Sequence, residues 1–371
     1  MNLNVVELTE DLVAIDSVSR RSNAEVSNYL EALLARCGFE VERLEYADEN
    51  GELKVSLVAK KGAGPGGFGF FSHSDTVPGS EWDRNPHDPV VENGKLIGLG
   101  SCDMKGPLAA TIVASADLEA SSLKNPLFII VTADEEITYG GVQQVVRESN
   151  LFREHKPKYG VVAEPTELKP IYAHKGGARI LVTAHGKAAH TSTDLGVSAN
   201  FLIAPFLAEM TELANLFKND ESFMNDEFSP PTNGFNMVLD DGGCKTNISS
   251  PKTVCTLAFR AMPNARCEEI VPMIRERAEK HSLETSSSEA PPFYVSPESD
   301  LIKVALEATG STRAATVPFG SEATVYIEHL EPIVLGPGSI TQAHTNGEWI
   351  DLAQLEEAVG VYRRMIDRLC K

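Results

Sequence analysis

Long apolar runs, paired cysteines and an excess of basic residues are all missing from this sequence. No stretch approaches the roughly 18–20 consecutive apolar residues of a membrane span, so no transmembrane helix is expected. The opening MNLNVVELTEDL lacks a basic n-region and reads as the start of an amphipathic helix, not as a secretory signal. Six cysteines (Cys37, Cys102, Cys244, Cys255, Cys267 and Cys370) are scattered without CxxC spacing. They are expected to be reduced, mostly buried thiols of a cytoplasmic protein. Lys and Arg number 33 against 53 Asp and Glu, a formal net charge of -20. Nucleic-acid backbones demand clustered cations, so polynucleotide partners are excluded. Internal repeats and low-complexity segments are also missing.

What is present suits a soluble globular protein of more than one domain. At 371 residues the chain exceeds one ordinary core, and its length points to two or three domains. Helical periodicity marks 3–18 and 24–37, the latter stopping at Gly38, a suitable residue for a left-handed helix end. Apolar runs follow at 54-KVSLVAK-60, 67-GFGFFSHSD-75, 126-PLFIIVTAD-134 and 159-YGVVAEP-165, with the helix 104-MKGPLAATIVASADLEA-120 between the second and third. Fully apolar strands separated by helices imply an α/β fold, a mostly parallel sheet covered on both faces.

Near residue 176 the texture changes. Strand 178–186, helix 198–217, strands near 234–241 and 252–263 and a helix near 265–281 have the order of a small α+β unit. The segment 285-TSSSEAPPFYVSP-297 reads as a boundary, after which helix 299–309, strand 332-PIVLGPG-338 and a closing helix N-capped by Asp351 restore the α/β pattern. The expected organisation is therefore 1–176 with 286–371 as one domain and 177–285 as an insertion.

Polar residues gather at the C-terminal ends of the apolar runs. FGFF ends in His73 and Asp75, LFIIVTA in Asp134, Glu135 and Glu136, YGVVA in Glu164, and IVLGPG leads to His344; the loop 98-GLGSCDMKG-106 adds Asp103. In an open parallel sheet these ends line one rim, where ligands bind. His73, Asp103, Glu136, Glu164 and His344 form an O/N-rich set without thiolate, suited to two divalent ions, Zn²⁺, Co²⁺ or Mn²⁺, in a hydrolytic centre. Cys102 has no base in its motif and reads as a loop filler; the surrounding glycines do not follow G-x-G-x-x-G, so dinucleotide binding is a poor fit. Asp134 is expected to bond to backbone, Glu348 to be a surface acid, and His174 to lie at the domain junction.

The segments 73-HSDTVP-78, 98-GLGSCDMKG-106, 131-VTADEE-136, 163-AEPT-166 and 186-GKAAHTS-192 together resemble the M20 family of dinuclear-zinc peptidases and deacylases, in order and spacing along nearly the whole chain. The resemblance implies that His73 and Glu164 serve one metal, Glu136 and His344 the other, and that Asp103 bridges them. It implies that Asp75 orients His73 and that Glu135 is the general base. The insertion becomes a lid and dimerisation domain, making a homodimer through 177–285. His190 would stabilise the oxyanion, and Asn247, Arg260, Gly320 and Ser321 would contact substrate. Ala258 stands where the family often has an acid, and Ser72 where it usually has glycine. The motifs 335-LGPGSITQAHTNGEWI-350 and 172-YAHKGG-177 resemble the deacetylase branch, implying an N-acyl amino acid substrate, N-acetylornithine first. Dipeptidase, carboxypeptidase, succinyl-diaminopimelate desuccinylase and a non-catalytic metal-binding protein are the alternatives.

Overall fold

The computed structural model describes residues 3–371. The apolar runs become adjacent strands of one sheet. Phe68–His73 lies between Leu127–Thr132 and Tyr159–Val162, parallel to both, and Glu331–Val334 lies parallel to Tyr159–Val162 on the far side. Leu53–Lys61 and Glu40–Ala47 extend the other side as antiparallel strands. The mostly parallel sheet is thus present as expected.

Every residue of Phe68–His73 and Leu127–Thr132 is buried. Neighbouring residues on a strand face opposite ways. Phe70 accordingly packs on Tyr362 of the closing helix, Leu352–Leu369, with ring centroids 4.9 Å apart. Phe71 packs on Tyr326 of the short helix Ala323–Tyr326 at 4.1 Å. Helices therefore cover both faces, and each buried phenyl contributes roughly 1.5–3 kcal/mol. Asp351 caps the closing helix as expected, its carboxylate accepting the Gln354 N–H at 2.9 Å.

Two compact units emerge. The larger comprises the residues up to Tyr172, Val295–Ala315 and Ser321–Lys371; the smaller comprises Ala173–Tyr294 and Thr316–Gly320. In the smaller, four antiparallel strands run in the order Asn236–Asp240, Lys252–Phe259, Gly177–His185, Glu284–Ala290. Along Gly177–His185 only Ala178, Ile180, Val182 and Ala184 are buried, and helices Ala199–Asn219 and Ile270–Lys280 pack on this strand.

Two local expectations differ from the structure, and one sheet went unexpected. The first helix ends at Val13. Beyond it Ser17 and Ser19 turn away to bond the segment after His73, the Ser17 hydroxyl donating to the Ser74 carbonyl at 2.6 Å. The segment expected as a boundary contains the edge strand Glu284–Ala290, whose serine-rich sequence carries no apolar alternation. A three-stranded sheet, Val90–Glu92, Lys95–Ile97 and Trp349–Asp351, arises from pieces too short for a periodicity signal. Among the described residues no helix is long and apolar enough to cross a membrane.

Candidate metal centre

The parallel register brings several strand ends to one rim. His73 is the last residue of its strand and pairs with Thr132, two positions before Asp134; Glu164 follows the end of Tyr159–Val162. His73 Nδ1 lies 2.9 Å from the Asp75 backbone carbonyl. A carbonyl only accepts, so Nδ1 carries the proton and Nε2 offers its lone pair. That Nε2 lies 3.3 Å from Asp103 Oδ1, 3.8 Å from Glu164 Oε1 and 4.0 Å from Glu135 Oε2. His344 Nε2 lies 3.4 Å from Asp103 Oδ2 and 3.1 Å from both oxygens of Glu136. The two Asp103 oxygens thus face different imidazoles. Potential donors cluster as His73, Asp103 and Glu164, as Asp103, Glu136 and His344, and as His73, Glu135 and Glu136, each within 4.8 Å.

Adjacent residues on an extended strand could not both enter this site, but the strand ends first, at Thr132. Asp134 adopts φ +59°, and its carbonyl accepts from Thr138 and Tyr139, closing a turn. The Asp75 carboxylate holds that turn from below, accepting the Glu135 N–H at 3.2 Å, the Glu136 N–H at 3.3 Å and the Ser19 hydroxyl at 2.7 Å. Asp75 thereby touches both sides of the site, although its carboxylate is 3.6 Å from His73 Nδ1. Asp134, expected to bond to backbone, instead binds side chains: the Tyr46 hydroxyl at 2.6 Å and the buried Lys54 ammonium at 2.9 Å. A buried carboxylate needs such partners, and these come from distant strands.

Burial and crowding set the electrostatics. Burial, reinforced by the charges of Glu164, Glu136 and Asp103, raises the Glu135 carboxyl well above its usual range. Burial and the charge of Asp103 do the same to Glu164. Burial raises Asp103 too, but bonds from His344 and His73 outweigh it and hold this carboxyl below the usual range. Bonds to Asp103 and Glu136 push His344 up to about 10. Carboxylates crowd this site, facing the imidazoles of His73 and His344.

Sequence reasoning missed two buried acids. Glu348, expected at the surface, is buried, with its carboxylate turned onto backbone N–H groups of the 98–106 loop. Glu322 accepts the Thr132 hydroxyl at 2.7 Å, leaves Oε2 without a partner, and is raised by burial to about 7. Neither has a motif that announces its partners. Cys102 is fully buried, its thiol raised well above the usual range by burial, in keeping with a filler.

The remaining candidates divide between the units. Ser321, in the larger, is fully buried, its hydroxyl accepting the Ala323 N–H at 3.3 Å. In the smaller unit His190, Asn247 and Arg260 are exposed and Gly320 is half-buried. His190 and Asn247 lie on paired segments, the Thr191 N–H donating to the Asn247 carbonyl at 3.0 Å. His190 Nδ1 accepts the Ser192 N–H at 3.2 Å, leaving the proton on Nε2. His174, expected at the junction, belongs to the strand Ile171–His174, which spans the division between units.

Residues 69–368 match the model of peptidase family M20/M25/M40. The chain belongs to that family. Among its M20 relatives, the acetylornithine deacetylase of Photorhabdus laumondii subsp. laumondii is 31% identical over 382 residues, covering 98% of this chain and 97% of the relative. That of Myxococcus xanthus is 31% identical over 376 residues, covering 98% and 96%. The M20 fold is shared with an M20 metallo-carboxypeptidase from Sulfolobus solfataricus, at TM-score 0.77 and 16% identity, with 98% of each chain covered. It is also shared with a dinuclear metal-binding M20 peptidase from Bacillus subtilis, at TM-score 0.66 and 15% identity, covering 97% of this chain and 96% of that one. As an M20 member the chain is an amidohydrolase.

Proposed function

We propose that this M20 hydrolase uses two divalent ions to remove acetyl from N-acetylornithine, giving ornithine and acetate in arginine synthesis. The observation that carries the dinuclear reading is Asp103, whose two oxygens are divided between the His73 and His344 imidazoles. Glu164 Oε1 fits the same reading: it is buried and has no hydrogen-bond partner, the condition of an acceptor awaiting a cation. His73, Asp103 and Glu164 would hold one ion and Asp103, Glu136 and His344 the other, with Zn²⁺ first and Co²⁺ or Mn²⁺ as alternatives. Ions bound there would supply Lewis-acid activation of water and of the acyl carbonyl.

The chain's own groups do the rest. Glu135 takes a proton from the attacking water as its oxygen bonds to the acyl carbon, and returns a proton to the amine as the C–N bond breaks. Asp75 keeps His73 and the Glu135–Glu136 turn in place. His190 donates Nε2–H to the oxyanion. Arg260 and Asn247 bind the substrate carboxylate, Arg by its two-pronged fork, and Gly320 and Ser321 also contact substrate.

The larger unit is the catalytic domain and the smaller a lid and dimerisation domain, with His190 of one chain serving the other chain's site. Exposed Leu195, Val197, Phe201, Val238 and Leu239 on the smaller unit support a homodimer there, Phe201 being 82% exposed. Six free thiols support a cytoplasmic setting. The substrate reading is tested by ornithine release from N-acetylornithine, before and after chelation, beside a panel of N-succinyl substrates and dipeptides. Fast, chelator-sensitive release from the acetyl substrate is expected; turnover of the dipeptides alone would overturn it.

A further inference from the structure

One distant residue, Glu348, accepts four backbone N–H groups of the loop that carries Asp103. Glu348 Oε1 accepts the Cys102 N–H at 2.8 Å and the Asp103 N–H at 2.9 Å, while Oε2 accepts the Gly100 N–H at 3.0 Å. The Glu348 backbone carbonyl accepts a fourth, the Gly98 N–H, at 3.0 Å. The side chain is 1% exposed. Just beyond it, Trp349 and Ile350 pair with Ile97 and Leu96, so the carboxylate continues that ladder to the residues a strand could not reach. Three side-chain bonds shared between both terminal atoms need each of those atoms to be an acceptor. A carboxylate has that and an amide does not, which accounts for an acid buried beside other acids.

Glu348 also stands four residues after His344, and its own N–H donates to the Thr345 carbonyl at 3.2 Å. It therefore ties the His344 segment to the Asp103 backbone, across the 3.4 Å gap between Asp103 Oδ2 and His344 Nε2. His73 and Glu164 are each placed by the end of their own sheet strand, although the His73 N–H also donates to Met104 Sδ at 3.3 Å. We propose that Glu348 is a positioning residue that sets the spacing of Asp103 and His344, and so governs affinity for the ion held by Asp103, Glu136 and His344 more than for the one held by His73, Asp103 and Glu164. This rests on the dinuclear reading above.

The test is calorimetric titration of metal-free protein with Zn²⁺, with turnover and thermal stability measured alongside. Glu348→Gln keeps acceptors for Cys102 and Asp103 but sets an NH₂ against the Gly100 N–H. One of its two binding steps should lose about 10–100-fold, the range for residues that orient metal ligands, and the other less than about 3-fold. Glu348→Ala should lose that affected step altogether. A merely structural role would lower the melting temperature and leave both steps alone. Unchanged steps in Glu348→Gln, or equal weakening of both, overturn the proposal. A wild type that takes up fewer than two ions overturns the dinuclear reading and this proposal together; two steps in the wild type leave that reading standing whatever the variant does.

Discussion

The two larger sheets of this molecule handle burial in opposite ways. In the larger unit Leu127–Thr132 is buried at every position, whereas in the smaller Gly177–His185 buries alternate residues. A parallel sheet sandwiched by helices leaves its strands no wet face, so polar side chains can appear only where a strand stops. That is where His73, Asp134 to Glu136 and Glu164 stand. The one-sided antiparallel sheet can carry polar groups anywhere, and His190, Asn247 and Arg260 lie exposed in loops and at a strand end. The proposed metal ligands all belong to the first unit, and the proposed lid contacts His190, Asn247 and Arg260 to the second.

Substitutions should separate the two along that line. The largest effect is expected from Glu135→Gln: full metal content with kcat down about 10²–10⁴-fold, read by elemental analysis and steady-state kinetics. Next, His190→Ala should lower kcat about 10²–10³-fold, again with metal content unchanged, since the proposed ligands all lie in the larger unit. Loss of metal in that variant would break the division of labour. On stability, Ile130→Ala and Ile180→Ala should each cost about 2–5 kcal/mol in urea unfolding, both being fully buried.

A pH effect comes from Glu322, raised to about 7 by burial. Folding favours its protonated form, so the stability it contributes is whole below the ordinary carboxyl value near 4.5 and is lost as pH rises toward 7. In metal-free protein, Glu322→Gln should exceed the wild type by about 2–3 kcal/mol at pH 8, and the gap should close by pH 5. A gap independent of pH would contradict a titrating Glu322. The smallest effect, under about 0.5 kcal/mol, is expected for Arg179→Ala on the exposed face of Gly177–His185.

The same contrast explains what could be read from sequence. Apolar runs such as LFIIV declare buried strands, and their polar ends declare the rim, so the sheet and the rim cluster of His73, Asp103, Glu136, Glu164 and His344 were legible. Glu348 was not, because its partners are backbone N–H groups 245 and more positions away, and every residue type carries those. Asp134 was misread for a related reason: Tyr46 and Lys54 reach it through sheet register, which no local pattern encodes. The polar edge strand Glu284–Ala290 was taken for a boundary because its pairing with Gly177–His185 rests on main-chain bonds.

The central claim is that Asp103 serves two ions at once. Zn²⁺ titration of the wild type beside Asp103→Ala tests it most directly. Two equivalents bound by the wild type, with both steps weakened together in the variant, is the predicted result. Retention of either step at wild-type affinity in Asp103→Ala would contradict it.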